Sequence, residues 1–149
     1  MIEHVLVVCV GNICRSPLGE RLIAAAIPQV TVSSAGLSAL VGQPADPVSL
    51  ATATRHGVDL AHHSARQFTP ALGAAQDLIL VMEPRHKQEI ARQSPQLSGR
   101  VMLFDHWTGA RGIADPYRRS PQFHEAIFQQ ISDAADAWAI RLGRGEVRG

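Results

Sequence analysis

A small polar residue standing directly before proline recurs along this sequence, notably at Ser16-Pro17, Asp46-Pro47, Thr69-Pro70 and Ser120-Pro121. A side-chain oxygen at the N-cap satisfies an orphan backbone N–H, and proline's fixed φ suits the first helical position, so each pair reads as a helix start. Between these starts lie short β-rich runs, Val5–Val8, Val30–Ser33, Leu78–Met82 and Val101–Phe104. They are apolar at consecutive positions, as strands covered on both faces are. The expected helices are Pro17–Ala26, Pro47–His56 closed by Gly57, Pro84–Gln93 and the long amphipathic Pro121–Leu142. Strands alternating with helices predict a three-layer α/β fold: a small parallel sheet of about four strands with helices on both faces. Ligands of such sheets bind beyond the C-terminal ends of the strands, so a site is expected just after one of these runs.

A chain of 149 residues corresponds to a single domain, here residues 1–149, and is long enough to bury a core without staples. Lys and Arg number 14 against 13 Asp and Glu, a net charge of +1 that argues against a nucleic-acid surface or a polybasic membrane anchor. No apolar run approaches the ~20 residues of a membrane span, and no basic leader opens the chain, so the expected compartment is the cytoplasm. The two cysteines, Cys9 and Cys14, exclude a disulfide framework and a four-cysteine zinc site. The seven histidines are scattered, lack metal-ligand spacing, and are expected at the surface or in hydrogen-bond networks.

Both cysteines fall in one segment, Cys9-Val10-Gly11-Asn12-Ile13-Cys14-Arg15-Ser16-Pro17, which leads from a buried strand through a short loop into a helix. Gly11 and Asn12 are the residues most able to take φ > 0 and turn successive N–H groups inward as an anion nest. The helix adds the positive end of its dipole, and Arg15 a planar fork for two oxygens of a phosphoryl group. That setting favours the thiolate of Cys9. Cysteine, five residues and arginine let the loop wrap a tetrahedral oxyanion, with the sulfur beneath phosphorus. As a bare pattern the spacing is weak; between a buried strand and a Ser-Pro helix start it is far stronger.

The run from Val8 to Pro17 resembles the phosphate loop of the low-molecular-weight protein-tyrosine phosphatases. Ser33-Ser34-Ala35-Gly36, His63-Ser64-Ala65-Arg66-Gln67 and Asp115-Pro116-Tyr117 resemble further segments of that family, in the family's order. The likeness covers nearly the whole chain and is greatest to bacterial members encoded with capsule or exopolysaccharide export systems. There the partner is an autophosphorylating, membrane-associated tyrosine kinase.

The resemblance implies Cys9 as nucleophile, forming a phosphocysteine, and Asp115 as general acid and then base. Arg15 and the loop amides of Val10, Gly11, Asn12, Ile13, Cys14 and Ser16 would hold the oxygens of phosphate or a similar oxyanion. Asn12, Ser16, Ser34 and His63 would form a supporting network, and Ile13, Leu40 and Tyr117 the pocket walls. Cys14 would be a redox partner of Cys9, protecting it through a reversible disulfide. No metal or other cofactor is required. Leu40 stands where eukaryotic members have tryptophan, and Arg118 where they have a second tyrosine, which bears on specificity rather than on chemistry.

Three rivals are weaker. Thioredoxin-linked arsenate reductases on this fold need further cysteines, and none follows Cys14. A cysteine phosphocarrier would lack the acid loop. A non-catalytic phosphotyrosine-binding module would lack the nucleophile or the acid.

Overall fold

A computed structural model of the chain describes residues 1–143. Strands β1 (His4–Cys9), β2 (Thr31–Gly36), β3 (Leu78–Val81) and β4 (Val101–Leu103) form one sheet in the order β2-β1-β3-β4. Every pairing is parallel, with Val7 opposite Ser34 on one side and Leu80 on the other. The helices are α1 (Arg15–Ala26), α2 (Pro47–Arg55), α3 (Pro70–Ala74), α4 (Pro84–Gln93) and α5 (Pro121–Gly143), with a 3₁₀ turn over Pro95–Arg100.

Alternate residues of the central strands feed separate cores. Val5, Val7, Cys9, Leu78 and Leu80 pack with Leu18, Ile23, Ala53, Ile127, Ile131 and Trp138, which come from α1, α2 and α5. Leu6, Val8, Ile79 and Val81 pack the opposite face against Phe68, Ile90 and Leu97. This two-sided burial is why the strands are apolar at every position and not at every second one. Trp138 is fully buried and donates from its indole Nε1 to the carbonyl of Phe104 at 2.7 Å, which ties α5 to the end of β4.

Three proline pairs start helices as expected. Asp46 accepts from the N–H groups of Val48 and Ser49, Thr69 from Leu72, and Ser120 from Phe123. Ser16-Pro17 does not. Helix α1 begins two residues earlier at Arg15, and its N-cap position is Cys14, which makes no side-chain cap bond. Ser16 is thus inside the first turn, with its hydroxyl free for the site. The second strand also runs later than the periodicity predicts, ending at Gly36, because its last residues pair with the end of β1.

The chain leaves β1 toward β2 on one side and later returns as β3 on the other. That divergence opens a crevice at the carboxyl ends of β1 and β3.

Candidate active site

Residues 10–14 fill that crevice as a loop, and its shape follows from where its carbonyls go. The carbonyl of Cys9 accepts from Leu37 N–H, Val10 from Ser38, Gly11 from Leu40 and Ile13 from Asp46, at 2.9–3.1 Å. The Asn12 carbonyl accepts from Nε2 of His63 at 2.5 Å, so that ring nitrogen carries the proton. In a trans peptide the following N–H points opposite to the carbonyl, and the chain has no cis bond among its described residues. With five consecutive carbonyls drawn outward, the amides of Val10 through Cys14 face the loop's centre, forming an anion nest.

Asn12 sets the turn. It has φ 59°, a region that Asn tolerates through local hydrogen bonds. Gly11, expected to share this conformation, is not among the positive-φ residues. Asn12 is fully buried, and both polar atoms of its side chain are engaged. Its Nδ2 donates to Ser16 Oγ at 2.8 Å and to Ser34 Oγ at 3.0 Å, and its Oδ1 accepts from the Arg66 N–H at 2.9 Å. Ser34 in turn donates to Glu20 Oε1 at 2.6 Å. Ser16 Oγ lies 2.9 Å from Cys9 Sγ. Because this oxygen already accepts from Asn12, its own proton is available to the sulfur. Gly36 closes the loop from behind: a Cβ there would lie 2.3 Å from the Val10 carbonyl oxygen, so only glycine fits.

Arg15 is 1% exposed. Its Nη1 donates to Glu83 Oε2 at 2.6 Å and to the Ile113 carbonyl at 2.7 Å, and its Nη2 lies 3.7 Å from Asp115 Oδ2. Burial alone would raise the Glu83 carboxyl, but the hydrogen bond and charge of Arg15 outweigh it and hold Glu83 below the usual carboxylate value. Asp115 sits on the loop before α5, with its side chain 42% exposed and its Oδ1 accepting from Tyr117 N–H at 3.0 Å. That loop is fixed upstream by Asp105, whose Oδ2 accepts from the N–H groups of Arg111 and Gly112, and by Ile113 N–H bonded to the Met82 carbonyl.

Together these residues surround a cleft of about 190 Å³ lined by Cys9, Val10, Gly11, Ile13, Cys14, Arg15, Ser38, Leu40, Asp115 and Tyr117. Cys9 is buried, whereas Leu40 and Tyr117 are partly exposed at 43% and 38%. The gradient from a polar floor to an apolar rim suits a ligand with an anionic head and a flat apolar body. A larger groove of about 790 Å³ lies elsewhere, along α1 and residues 57–66, and meets the network behind the site through Glu20, Ser34, His63 and Arg66. Cys14 faces away from solvent. Burial, the largest influence, pushes its thiol up to about 12, against a hydrogen bond from Ser49.

Every residue singled out in the sequence therefore lies in the cleft or in the network behind it. The sequence missed Glu83, the Ile113 carbonyl, Glu20 and Ser38. Glu83 carried one usable signal, its place just after β3 at the carboxyl edge of the sheet. Two of the histidines expected at the surface or in networks, His86 and His124, lie in networks: they are buried, at 2% and 3% exposure, and bonded to the Glu83 N–H and to Ser49 Oγ.

Residues 4–148 match the family of the low molecular weight phosphotyrosine protein phosphatases. The chain belongs to this family. It is 46% identical over 144 residues to the probable low molecular weight protein-tyrosine-phosphatase AmsI of Erwinia amylovora, covering 97% of this chain and all of that one. It is 44% identical over 147 residues to Wzb of Escherichia coli K12, a low molecular weight protein-tyrosine-phosphatase, covering 99% of this chain and 100% of that one. Among solved structures, Wzb of Escherichia coli K30 in complex with sulphate superposes with a TM-score of 0.94 at 42% identity, covering 95% and 99% of the two chains. Wzb of Vibrio vulnificus with benzylphosphonate does so at 0.92 and 43% identity, covering 95% and 99%. A mutant of the arginine phosphatase YwlE with a phosphorylated active-site serine superposes at 0.88 and 27% identity, covering 94% and 95%. The fold and the activity class are those of a protein-tyrosine phosphatase. Among the described residues no helix is long and apolar enough to cross a membrane.

Proposed function

We propose that this enzyme hydrolyses phosphotyrosine in two steps through a phosphocysteine. The Cys9 thiolate attacks phosphorus in line as the bond to the phenolic oxygen breaks, and Asp115 gives that oxygen its proton. The Arg15 guanidinium, the inward amides from Val10 to Cys14 and the Ser16 amide in the first turn of α1 hold the three equatorial oxygens, whose charge is greatest in the transition state. The Asp115 carboxylate then takes a proton from water, whose oxygen attacks phosphorus and expels the sulfur as thiolate. The Ser16 hydroxyl steadies that sulfur in both steps. The single observation that supports this reading is that Cys9, the loop residues, Arg15 and Asp115 line one cleft, with Asp115 Oδ2 3.7 Å from Arg15 Nη2.

The substrate in this reading is a phosphotyrosine protein whose ring lies between Leu40 and Tyr117. We further infer a bacterial tyrosine kinase of an exopolysaccharide or capsule export system, met from the cytoplasm. Support comes from the relatives named AmsI and Wzb and from the benzylphosphonate bound by one of them. The serine phosphorylated in the YwlE mutant supports phosphoryl transfer onto the protein itself. Cys14, beside the nucleophile, is assigned the role of its redox partner.

The test is Cys9→Ser. Turnover of p-nitrophenyl phosphate should vanish while phosphate still binds, and the variant should retain a phosphotyrosine protein from native lysate. Undiminished turnover would overturn the assignment of Cys9.

A further inference from the structure

We propose that Glu83 is a positioning residue, which fixes the plane of Arg15 so that only one edge of the guanidinium can meet a phosphoryl group. This deepens the proposed function and rests on Arg15 as the oxyanion-binding arginine.

A guanidinium offers five N–H donors in a rigid fork. Both protons of Nη1 are consumed, one by Glu83 Oε2 at 2.6 Å and the other by the Ile113 carbonyl at 2.7 Å. The donors left are those of Nη2 and Nε, which form one bidentate edge. Nη2 is also the atom nearest Asp115, a residue of the cleft wall, which orients that edge toward the reaction centre. A carboxylate and a carbonyl gripping the same nitrogen from β3's end and from the acid loop leave the side chain no freedom to swing.

Glu83 is itself held in place. It is the residue before α4, and its backbone N–H donates to Nδ1 of His86 at 3.2 Å. That bond puts the proton of the neutral ring on Nε2, which lies 3.5 Å from Glu83 Oε2 and has no hydrogen-bond partner within normal reach. The ring is buried, and burial above all pushes its basicity down to about 4, so it remains neutral and leaves the carboxylate charge to Arg15. Arg85 covers the outer oxygen, with Nε 3.1 Å from Oε1. A carboxylate whose surroundings are arranged so that its strongest bond goes to the arginine beneath the cleft is more than a solvated helix-start acid.

Enzymes lose ~10²-fold in rate when a catalytic group shifts by about 1 Å. Glu83→Ala should therefore lower kcat on p-nitrophenyl phosphate by ~10²-fold with a much smaller change in KM, because Arg15 matters most to the transition-state charge. Glu83→Gln, which keeps an acceptor of the same shape, should restore part of the loss. In an Arg15→Met background, where nothing is left to position, Glu83→Ala should cost little more. Phosphate titration followed at the Arg15 Nε–H resonance should report weakened phosphate binding in Glu83→Ala, a readout independent of turnover. The proposal is overturned if Glu83→Ala costs the same factor with and without Arg15, if the loss tracks the folded fraction, or if the Arg15 resonance titrates unchanged. An Arg15→Met enzyme with unaltered kcat and phosphate inhibition would instead remove the role of Arg15 itself.

Discussion

The Asp115 carboxylate stands 3.7 Å from the Arg15 guanidinium, and the two side chains share one wall of the same cleft. The contact is too long for a strong ion pair, and Asp115 is half open to solvent, so it costs little to break. In the proposed mechanism a phosphoryl group entering the loop would compete for the same guanidinium edge and leave Asp115 turned toward the ester oxygen, so the acid would be stored beside the charge it must yield to.

Asp115→Ala should lower kcat by ~10²–10⁴-fold for aryl phosphates with poor leaving groups, as expected for lost general-acid catalysis. The loss should shrink as the leaving phenol becomes more acidic, since a good leaving group needs no proton. A leaving-group series comparing kcat for both enzymes checks this, and equal losses across the series would count against Asp115 as the acid.

Much of this site could be read from consecutive letters, and the remainder could not, for a physical reason. The loop from Cys9 to Arg15 is one continuous passage from strand to helix, so its chemistry and its spacing appear together in the sequence. Asn12 was legible as a turn residue because few residue types tolerate its φ of 59°. Glu83 and Ile113 were not, since they meet Arg15 only because β3 pairs beside β1 and the acid loop crosses above it. Separations of 68 and 98 residues leave no periodic trace. For Ser16 the sequence offers two roles, helix cap and member of the network supporting Cys9, and the loop removes the first by starting α1 early, which frees the hydroxyl for the second.

The buried Asn12 gives two separable losses. Asn12→Gly keeps the left-handed turn but drops the bonds to Ser16, Ser34 and Arg66 N–H, whereas Asn12→Ala drops the bonds and also strains the backbone. Urea unfolding should place Asn12→Ala below Asn12→Gly by about 1–2 kcal/mol, the cost of that conformation for a residue with a Cβ. Both variants should lose kcat, because Ser16 loses the donor that aims its proton at Cys9.

Burial of His86 makes stability depend on acidity. Its folded basicity is depressed from 6.5 to about 4, so below 6.5 the unfolded chain binds a proton that the native state refuses. Stability should fall as pH drops from 6.5 toward 4. The loss belonging to Glu83, whose carboxyl is held below 4.5, sets in only below that value. Thermal unfolding between pH 7 and 4.5 should show Tm declining, and His86→Asn, which cannot take up a proton, should flatten that decline. An unchanged slope in His86→Asn would assign the acid sensitivity elsewhere.

Oxidation should discriminate between the two cysteines. In the proposed redox role, peroxide should convert Cys9 to a sulfenic acid, and attack by Cys14 sulfur should then form the disulfide and release water. Burial holds the Cys14 thiol near 12, so at neutral pH Cys14 is protonated, a poor nucleophile, and closure should be slow and accelerate with rising pH. Ser49, whose hydrogen bond favours the Cys14 thiolate, should assist, and Ser49→Ala should slow closure further. Mass spectrometry over a pH series after a peroxide pulse checks this. The disulfide should build up faster at higher pH, and Cys14→Ser should accumulate sulfinic and sulfonic forms of Cys9. Over-oxidised Cys9 alone in the unaltered enzyme would remove the protective role of Cys14.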